Sequence, residues 1–296
     1  MQGTLIVNAF WDSPSMAEMA RQLQAAAHDL GMALQVKTNE DFPCLLPGPR
    51  PLSPADTGDF VLFWDKDVRL AHLLEIQGAR VFNAPRAIAL CDDKTLTHLA
   101  LCQAGLPMPD TLLCPQTFPG NGYPRMVFLD QAEAALGYPM VIKEGCGSFG
   151  QQVYLAKNAE EARALLRARA GTALLLQRFV SESAGKDLRL YMVGDRCVGA
   201  MRRVNDGDFR ANIQHGGHGV AYTPSADEIA LAARACRALG LSFAGVDLLE
   251  SRDGPLLCEV NSNAHFTALS ALTGAPVARE ILASIQEKNL SFFPKP

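Results

Sequence analysis

The sequence predicts an α/β chain: a small parallel α/β domain at the N terminus, then a larger α+β part in which antiparallel hairpins dominate. Three observations predict it. Short apolar runs alternate with helical periodicity over residues 1–84, as in successive βαβ units. A glycine-rich hairpin follows, its first strand ending on Lys143. A second hairpin, within AGVDLLESRDGPLLCEVNSN at 244–263, carries three oxygen donors, Asp247, Glu259 and Asn261, where the alternation of a strand aims them to one side.

Residues 4–9 read as a strand, and Ser13-Pro14 as the cap and first-turn proline of a helix whose apolar positions repeat at helical spacing until Gly31. Strands at 33–37, 60–64 and 80–82 and a helix at 68–76 complete the domain. Residues 42–57, with five prolines, read as a loop. No GxGxxG follows the first strand, so nothing argues for a dinucleotide fold. Phe63-Trp64-Asp65-Lys66-Asp67 closes a strand, where α/β folds place functional residues; a buried anchor with a solvated cap is the alternative. Residues 86–103 read as one helix containing Asp92-Asp93-Lys94, and 114–125 as an irregular loop.

The glycine-rich segment 145–150, with Gly147 and Ser148 at its centre, lies between strands at 140–143 and 152–155. Glycine lets a backbone approach a phosphate with its N–H groups, and a lysine at the strand end supplies countercharge. A Walker A motif is absent, because GK[ST] is missing. A helix at 159–169, a strand at 172–177, a hairpin at 187–203 turning at Gly194-Asp195, and a helix from the Ser225…Glu228 capping box to Gly240 follow. His215 and His218 have no matching Cys or third His, so their loop reads as polar rather than metal-binding.

In the last hairpin, a loop centred on Asp253 sets Asp247 across from Glu259, with Val246, Leu248, Cys258 and Val260 on the apolar side. Facing carboxylates repel, and a hard cation such as Mg²⁺ relieves the repulsion; a solvated acidic face is the alternative. The 296 residues suggest several subdomains: 1–84, then 85–296, the latter divided into a central unit at about 111–171 and a C-terminal unit at 172–296. A net charge of −4 gives no general attraction to nucleic acid or acidic membranes. No apolar run reaches the ~20 residues of a membrane span, no secretory leader is legible, and eight scattered cysteines without CxxC read as reduced thiols. The expectation is a cytoplasmic protein.

From residue 83 to about 278 the chain resembles the ATP-grasp carboxylate–amine ligases, and within them the RimK-like glutamate ligases. The resemblance rests on six ordered segments: Asn83…Cys91-Asp92-Asp93-Lys94, Gly137 to Lys143, Gln177-Arg178-Phe179-Val180, Gly185 to Arg189, Gly207 to Asn212, and Gly245-Val246-Asp247…Glu259-Val260-Asn261. It implies an ATP-grasp fold, two α+β subdomains clamping ATP behind the N-terminal domain. It also implies roles. Lys94 and Lys143 would hold ATP phosphates under the Gly147-Ser148 loop, and Gln177, Arg178 and Phe179 would form the adenine hinge. Asp187 would sit near the ribose, with Arg210, Ala211 and Asn212 at the phosphoryl-transfer region and Arg210 catalytic. Asp247, Glu259 and Asn261 would hold two Mg²⁺ ions, with Mn²⁺ as a substitute. Arg178 stands where the family usually has an acid, and Asn263-Ala264-His265-Phe266 replaces the family's Pro-Gly beside the reacting groups. The implied reaction joins a small-molecule or peptide carboxylate to an amine, glutamate or another amino acid, through an acyl phosphate, with ADP and phosphate as products; oligomeric state is left open. A nucleotide-binding regulator without turnover is the rival, and the charged residues kept at these positions argue against it.

Overall fold

The computed structural model describes residues 1–11, 13–42, 54–148 and 150–292. Most of the proline-rich stretch 42–57 lies outside them. The N-terminal domain runs β1 (Gln2–Val7), α1 (Pro14–Asp29), β2 (Ala33–Thr38), the single turn α2 (Pro54–Thr57), β3 (Phe60–Phe63), α3 (Val68–Ile76) and β4 (Val81–Phe82). Its sheet has the order β2-β1-β3-β4 with every pair parallel. Helix α1 buries Met16, Met19, Leu23, Ala26 and Ala27, one stripe at helical spacing. Pro14 occupies its first turn, but the Ser13 side chain makes no capping bond.

Two helices, α4 (Pro85–Asp92) and α5 (Lys94–Gln103), replace the single helix expected over 86–103. Asp93 breaks the run: it is extended, and its carboxylate caps α5 by accepting from Thr95 N at 2.8 Å and Thr95 Oγ1 at 2.7 Å. Lys94 N then donates to Gly145 O at 2.8 Å. The break therefore ties the Lys94 end of α5 to the glycine-rich loop.

The central unit comprises β5 (Thr111–Leu113), α6 (Val127–Leu136), β6 (Met140–Glu144), β7 (Val153–Ala156), α7 (Ala159–Ala168) and β8 (Leu174–Arg178). Its antiparallel sheet, ordered β5-β8-β6-β7, packs α6 and α7 around Leu129, Leu136, Ile142, Leu166 and Leu176. The sheet thus extends past residue 171 to take in β8.

The C-terminal unit comprises β9 (Lys186–Val193), β10 (Arg196–Val204), β11 (His218–Ala221), α8 (Ala226–Leu239), β12 (Phe243–Ser251), β13 (Gly254–Asn261), α9 (Thr267–Thr273) and α10 (Val277–Phe292). Its sheet order is β11-β10-β9-β12-β13. Helix α8 begins with the expected capping box and covers one face, against Leu188, Leu190, Val246, Leu248, Leu257 and Val260. The other face is divided. Toward one end Tyr191, Val193 and Phe243 join α9, α10 and the N-terminal domain in a single core. Trp64 anchors that core, stacked on Phe243 at 5.4 Å and edge-on to Phe266 at 5.8 Å. Buried rings of this size contribute roughly 2–3 kcal/mol each. Asn83, fully buried, adds a polar clamp, donating to Phe243 O and Ser262 O at 2.9 Å and accepting from Ser242 N at 2.7 Å. The first domain is therefore seated on the C-terminal sheet.

The last hairpin reaches its expected pairing by another route. Its turn holds two residues, Arg252-Asp253, between the partners Ser251 and Gly254, not a loop centred on Asp253. The register shifts between Asp247/Glu259 and Leu248/Leu257, leaving Cys258 as the extra residue of a β-bulge. The bulge restores Asp247 opposite Glu259. It also brings Cys258 to the side of Glu259 and the site, whereas strict alternation assigned it to the apolar face.

Candidate active site

The polar end of the sheet is organised by register. Across four strands Met201, Arg189, Asp247 and Glu259 are successive partners, and two residues along Arg203 pairs with Asp187. Cross-strand neighbours of opposite charge are close enough to bond. Arg189 donates to both Asp247 oxygens, from Nη2 at 2.8 Å and also from Nε. Arg203 donates to both Asp187 oxygens at 2.6 Å and reaches Asp247 Oδ2 at 2.9 Å. Burial alone would push the Asp247 carboxyl up, but Arg189 and Arg203 outweigh it and hold the group below its ordinary range. Asp187 shares Arg203 with Asp247, and its burial raises its pKa. Arg189 and Arg203 were not picked out from the sequence. The signal was present: Asp187 and Arg189 share a strand face, and the turn at 194–195 returns Arg203 beside them.

Two cavities meet on this floor. The first is a cleft between the central and C-terminal sheets, with apolar walls from Val141, Phe179, Phe209 and Leu249 suited to a flat ring. Phe179 and Phe209 meet edge to face at 6.4 Å. Lys94, Lys143, Gln177, Arg178, Asp187, Arg210, Ala211, Asn212, Asp247 and Glu259 also line this cleft. The second cavity, ≈ 520 Å³, lies toward the N-terminal domain and shares Arg203, Asn212 and Glu259 with the first. Ser148 and Asn261 line it. In the Trp64 segment, Trp64 is the buried anchor, Asp65 is buried too rather than a solvated cap, and all three of Trp64, Asp65 and Lys66 line this cavity.

Individual side chains differ in what they have left to offer. Lys143 is 6% exposed, and its recorded partner is the Cys258 thiol at 3.9 Å, which burial pushes up to about 11 and so keeps neutral. Lys94, also buried, donates to Gly147 O at 3.0 Å and lies 3.5 Å from Glu259 Oε1. The Gln177 amide donates to His98 Nε2 at 3.0 Å and Thr111 Oγ1 at 2.9 Å, so its side chain is committed internally. His98 must then donate from Nδ1 to Lys94 O at 2.7 Å, and burial lowers its pKa to about 4. Arg178 turns its guanidinium to Asp110 and to Ala135 O. Arg210 is held by Asp208 and donates to Gly150 O at 2.8 Å, joining its loop to the glycine-rich loop.

Lys94, Lys143, Arg189 and Arg203 against Asp187, Asp247 and Glu259 leave one excess positive charge, with Arg210 and Asp208 cancelling. Such a floor favours an anion. It also suits a hard cation brought with that anion, since Asp247, Glu259 and Asn261 share one hairpin side and offer carboxylate and amide oxygens. Glu259 has the most capacity, because its carboxylate accepts no hydrogen bond among the described residues and Lys94 stands off at 3.5 Å. Asp247 offers what its arginines leave.

Known proteins fit this geometry. A RimK-like ATP-grasp domain model matches residues 91–285. The chain is 32% identical over 287 residues to the uncharacterized protein MG012 homolog of Mycoplasma pneumoniae, covering 94% of this chain and 96% of that one. It is 36% identical over 216 residues to a protein of Stenotrophomonas maltophilia named probable alpha-L-glutamate ligase, covering 72% of this chain and 71% of the relative. The crystal structure of a RimK domain ATP-grasp protein from Sphaerobacter thermophilus superimposes with a TM-score of 0.73 at 25% identity, over 95% of this chain and 98% of the other. With its ATP-grasp fold and its two cavities meeting on one charged floor, this chain belongs to the RimK-like family of ATP-grasp carboxylate–amine ligases.

Proposed function

We propose that the protein joins a carboxylate to an amine at the expense of ATP, through an acyl phosphate, with ADP and phosphate released and glutamate or another amino acid as the amine. The observation that carries this reading is Lys143, a buried ammonium whose hydrogen-bond partner among the described residues is a neutral thiol. A buried charge without a counterion is costly, so the cleft asks for an anion at that point. The apolar slot beside it suits the adenine, with hinge backbone rather than the Gln177 and Arg178 side chains serving as hydrogen-bonding groups. The resemblance puts the ribose at Asp187; its bonds to Arg203 make it a brace for that arginine as well.

In this reading Lys94 and Lys143 hold the phosphates while the loop at Gly147 and Ser148 closes over them. Arg210 fastens the loop through Gly150 O, which excludes water from a hydrolysable intermediate. Arg189 and Arg203, braced by Asp247 and Asp187, keep their Nη1 groups without protein partners among the described residues, and both side chains line the second cavity. Mg²⁺ held by Glu259, Asn261 and Asp247 would neutralise charge on the transferring phosphoryl group. The acid's carboxylate oxygen takes the γ-phosphoryl group; the amine then attacks the acyl carbon and phosphate leaves. The reading places the enzyme in the cytoplasm; no described helix is long and apolar enough to cross a membrane.

The test is to supply hydroxylamine as the amine with ATP and a panel of acids. A hydroxamate formed with ADP, at a rate dependent on Mg²⁺, is expected. AMP and pyrophosphate would mean attack at the α-phosphate and would overturn the acyl-phosphate route.

A further inference from the structure

The second cavity adjoins the reacting floor, so its lining bears on which acid the enzyme accepts. Glu259 apart, its charged side chains already have partners among the described residues. Lys66 is paired with Asp92, and Asp65 accepts from both Asn8 and Lys66 N. Arg189 and Arg203 are tied to Asp247 and Asp187 and have only their Nη1 groups to offer. Among the described residues that leaves two guanidinium groups to pair with one carboxylate, and Asp65 and Asp92 would repel a second.

The wall that Met16, Ala264 and Ala268 share with Trp11 is apolar. Trp11 is 42% exposed and lies 5.6 Å from the His265 ring, tilted by 50°. His265 is fixed in turn, its Nδ1 lying 3.0 Å from Ser15 Oγ on α1. Burial, then Arg189, lowers the His265 pKa, which favours the neutral ring. An accessible indole braced by a second ring offers a large rigid contact surface at little entropic cost. The ≈ 520 Å³ volume is room for more than one small amino acid.

We propose that this cavity receives the acid substrate, and that the acid is a monocarboxylate with an apolar, best aromatic, body lying on the Trp11–His265 wall, these two residues setting the preference. The proposal rests on the ligase reading for what happens to the carboxylate, and on the cavity alone for what binds. The test separates the two. The chain has two tryptophans, and both line this cavity, so a change in emission on binding reports the cavity and is assigned to Trp11 by its loss in Trp11→Ala. N-acetyl-L-phenylalanine, N-acetyl-L-alanine and N-acetyl-L-glutamate are titrated into the protein with Mg²⁺ and a non-hydrolysable ATP analogue, by emission and by calorimetry.

The phenylalanine derivative is expected to bind about tenfold tighter than the alanine derivative, and the dicarboxylate no tighter than alanine. In Trp11→Ala, followed by calorimetry, the preference should fall below about threefold, and in turnover the loss should appear in KM rather than kcat. His265→Gln, able to keep the Ser15 bond, should retain more of the preference than His265→Ala. A dicarboxylate bound as tightly as the aromatic acid, or a preference that survives Trp11→Ala, overturns the proposal. Selective binding of the aromatic acid without any hydroxamate from it would uphold the cavity assignment and overturn the ligase reading. Hydroxamate formed from acids that show no such selectivity would do the reverse.

Discussion

Lys143→Met keeps the length and apolar stem of the side chain while deleting its ammonium. That ammonium is 6% exposed, with a neutral thiol at 3.9 Å. Removing it leaves no charge orphaned, so the thermal midpoint should stay level or rise. The cost should appear on binding. A hydrogen bond to a charged group contributes about 1.5–3 kcal/mol, which corresponds to roughly 10- to 150-fold in Kd. Calorimetric titration with a non-hydrolysable ATP analogue and with ADP measures it, and the loss should be larger for the triphosphate if Nζ reaches the terminal phosphate. Substitution at a lysine that merely closes a strand would leave both affinities within about twofold. That result, or a lowered midpoint with affinity intact, would refute the argument that this buried charge awaits an anion.

Glu259→Gln should keep the fold and lose at least ~10²-fold in turnover at saturating Mg²⁺, since the least committed carboxylate of the floor is neutralised; near-normal turnover would remove it from the metal site. Arg203→Met strips Asp187 and Asp247 of their shared partner, and a buried pair broken from one side costs about 3–5 kcal/mol; a urea midpoint indicating less than ~1 kcal/mol would contradict that. For His98 the unfolded pKa is 6.5 and the folded one about 4, so the unfolded chain takes up the proton first. Stability is therefore full above pH 6.5 and falls as pH drops toward 4, by roughly 3 kcal/mol in all. His98→Leu should flatten that part of the unfolding profile between pH 7 and 4.5, and an unchanged slope would show that another group is responsible.

Much of the site could be read because its logic is local. A two-residue period places Glu259 and Asn261 together, and the six ordered segments include Lys94, Lys143, Gln177 and Phe179, which the fold brings to one cleft. Less could be read where two local rules compete. Residues 86–103 continue a helical pattern through Asp93, yet an aspartate that bonds the amide two residues on starts a new helix, and Gly145 O is there to accept from Lys94 N. Arg189 and Arg203 were passed over for a different reason. Each is an ordinary strand residue until β9 lies between β10 and β12, and the partners of Asp247 come from positions 58 and 44 residues away in sequence. Long-range register is where an acidic hairpin that reads as exposed or metal-filled also acquires two guanidinium braces.

The Cys258 bulge has a consequence for how the site can vary. Because the extra residue is accommodated on the partner side of a single pair, a chain lacking Cys258 would still pair Leu257 with Leu248 and bring Glu259 directly opposite Asp247. The carboxylate pair is thus indifferent to a one-residue deletion at the very point where most hairpins would turn their residues over. What such a chain would forfeit is the thiol beneath Lys143 and the added local twist of the strand. Cys258 can therefore drift in identity, or vanish, as a spacer that tunes the surroundings of one ammonium without disturbing its neighbours.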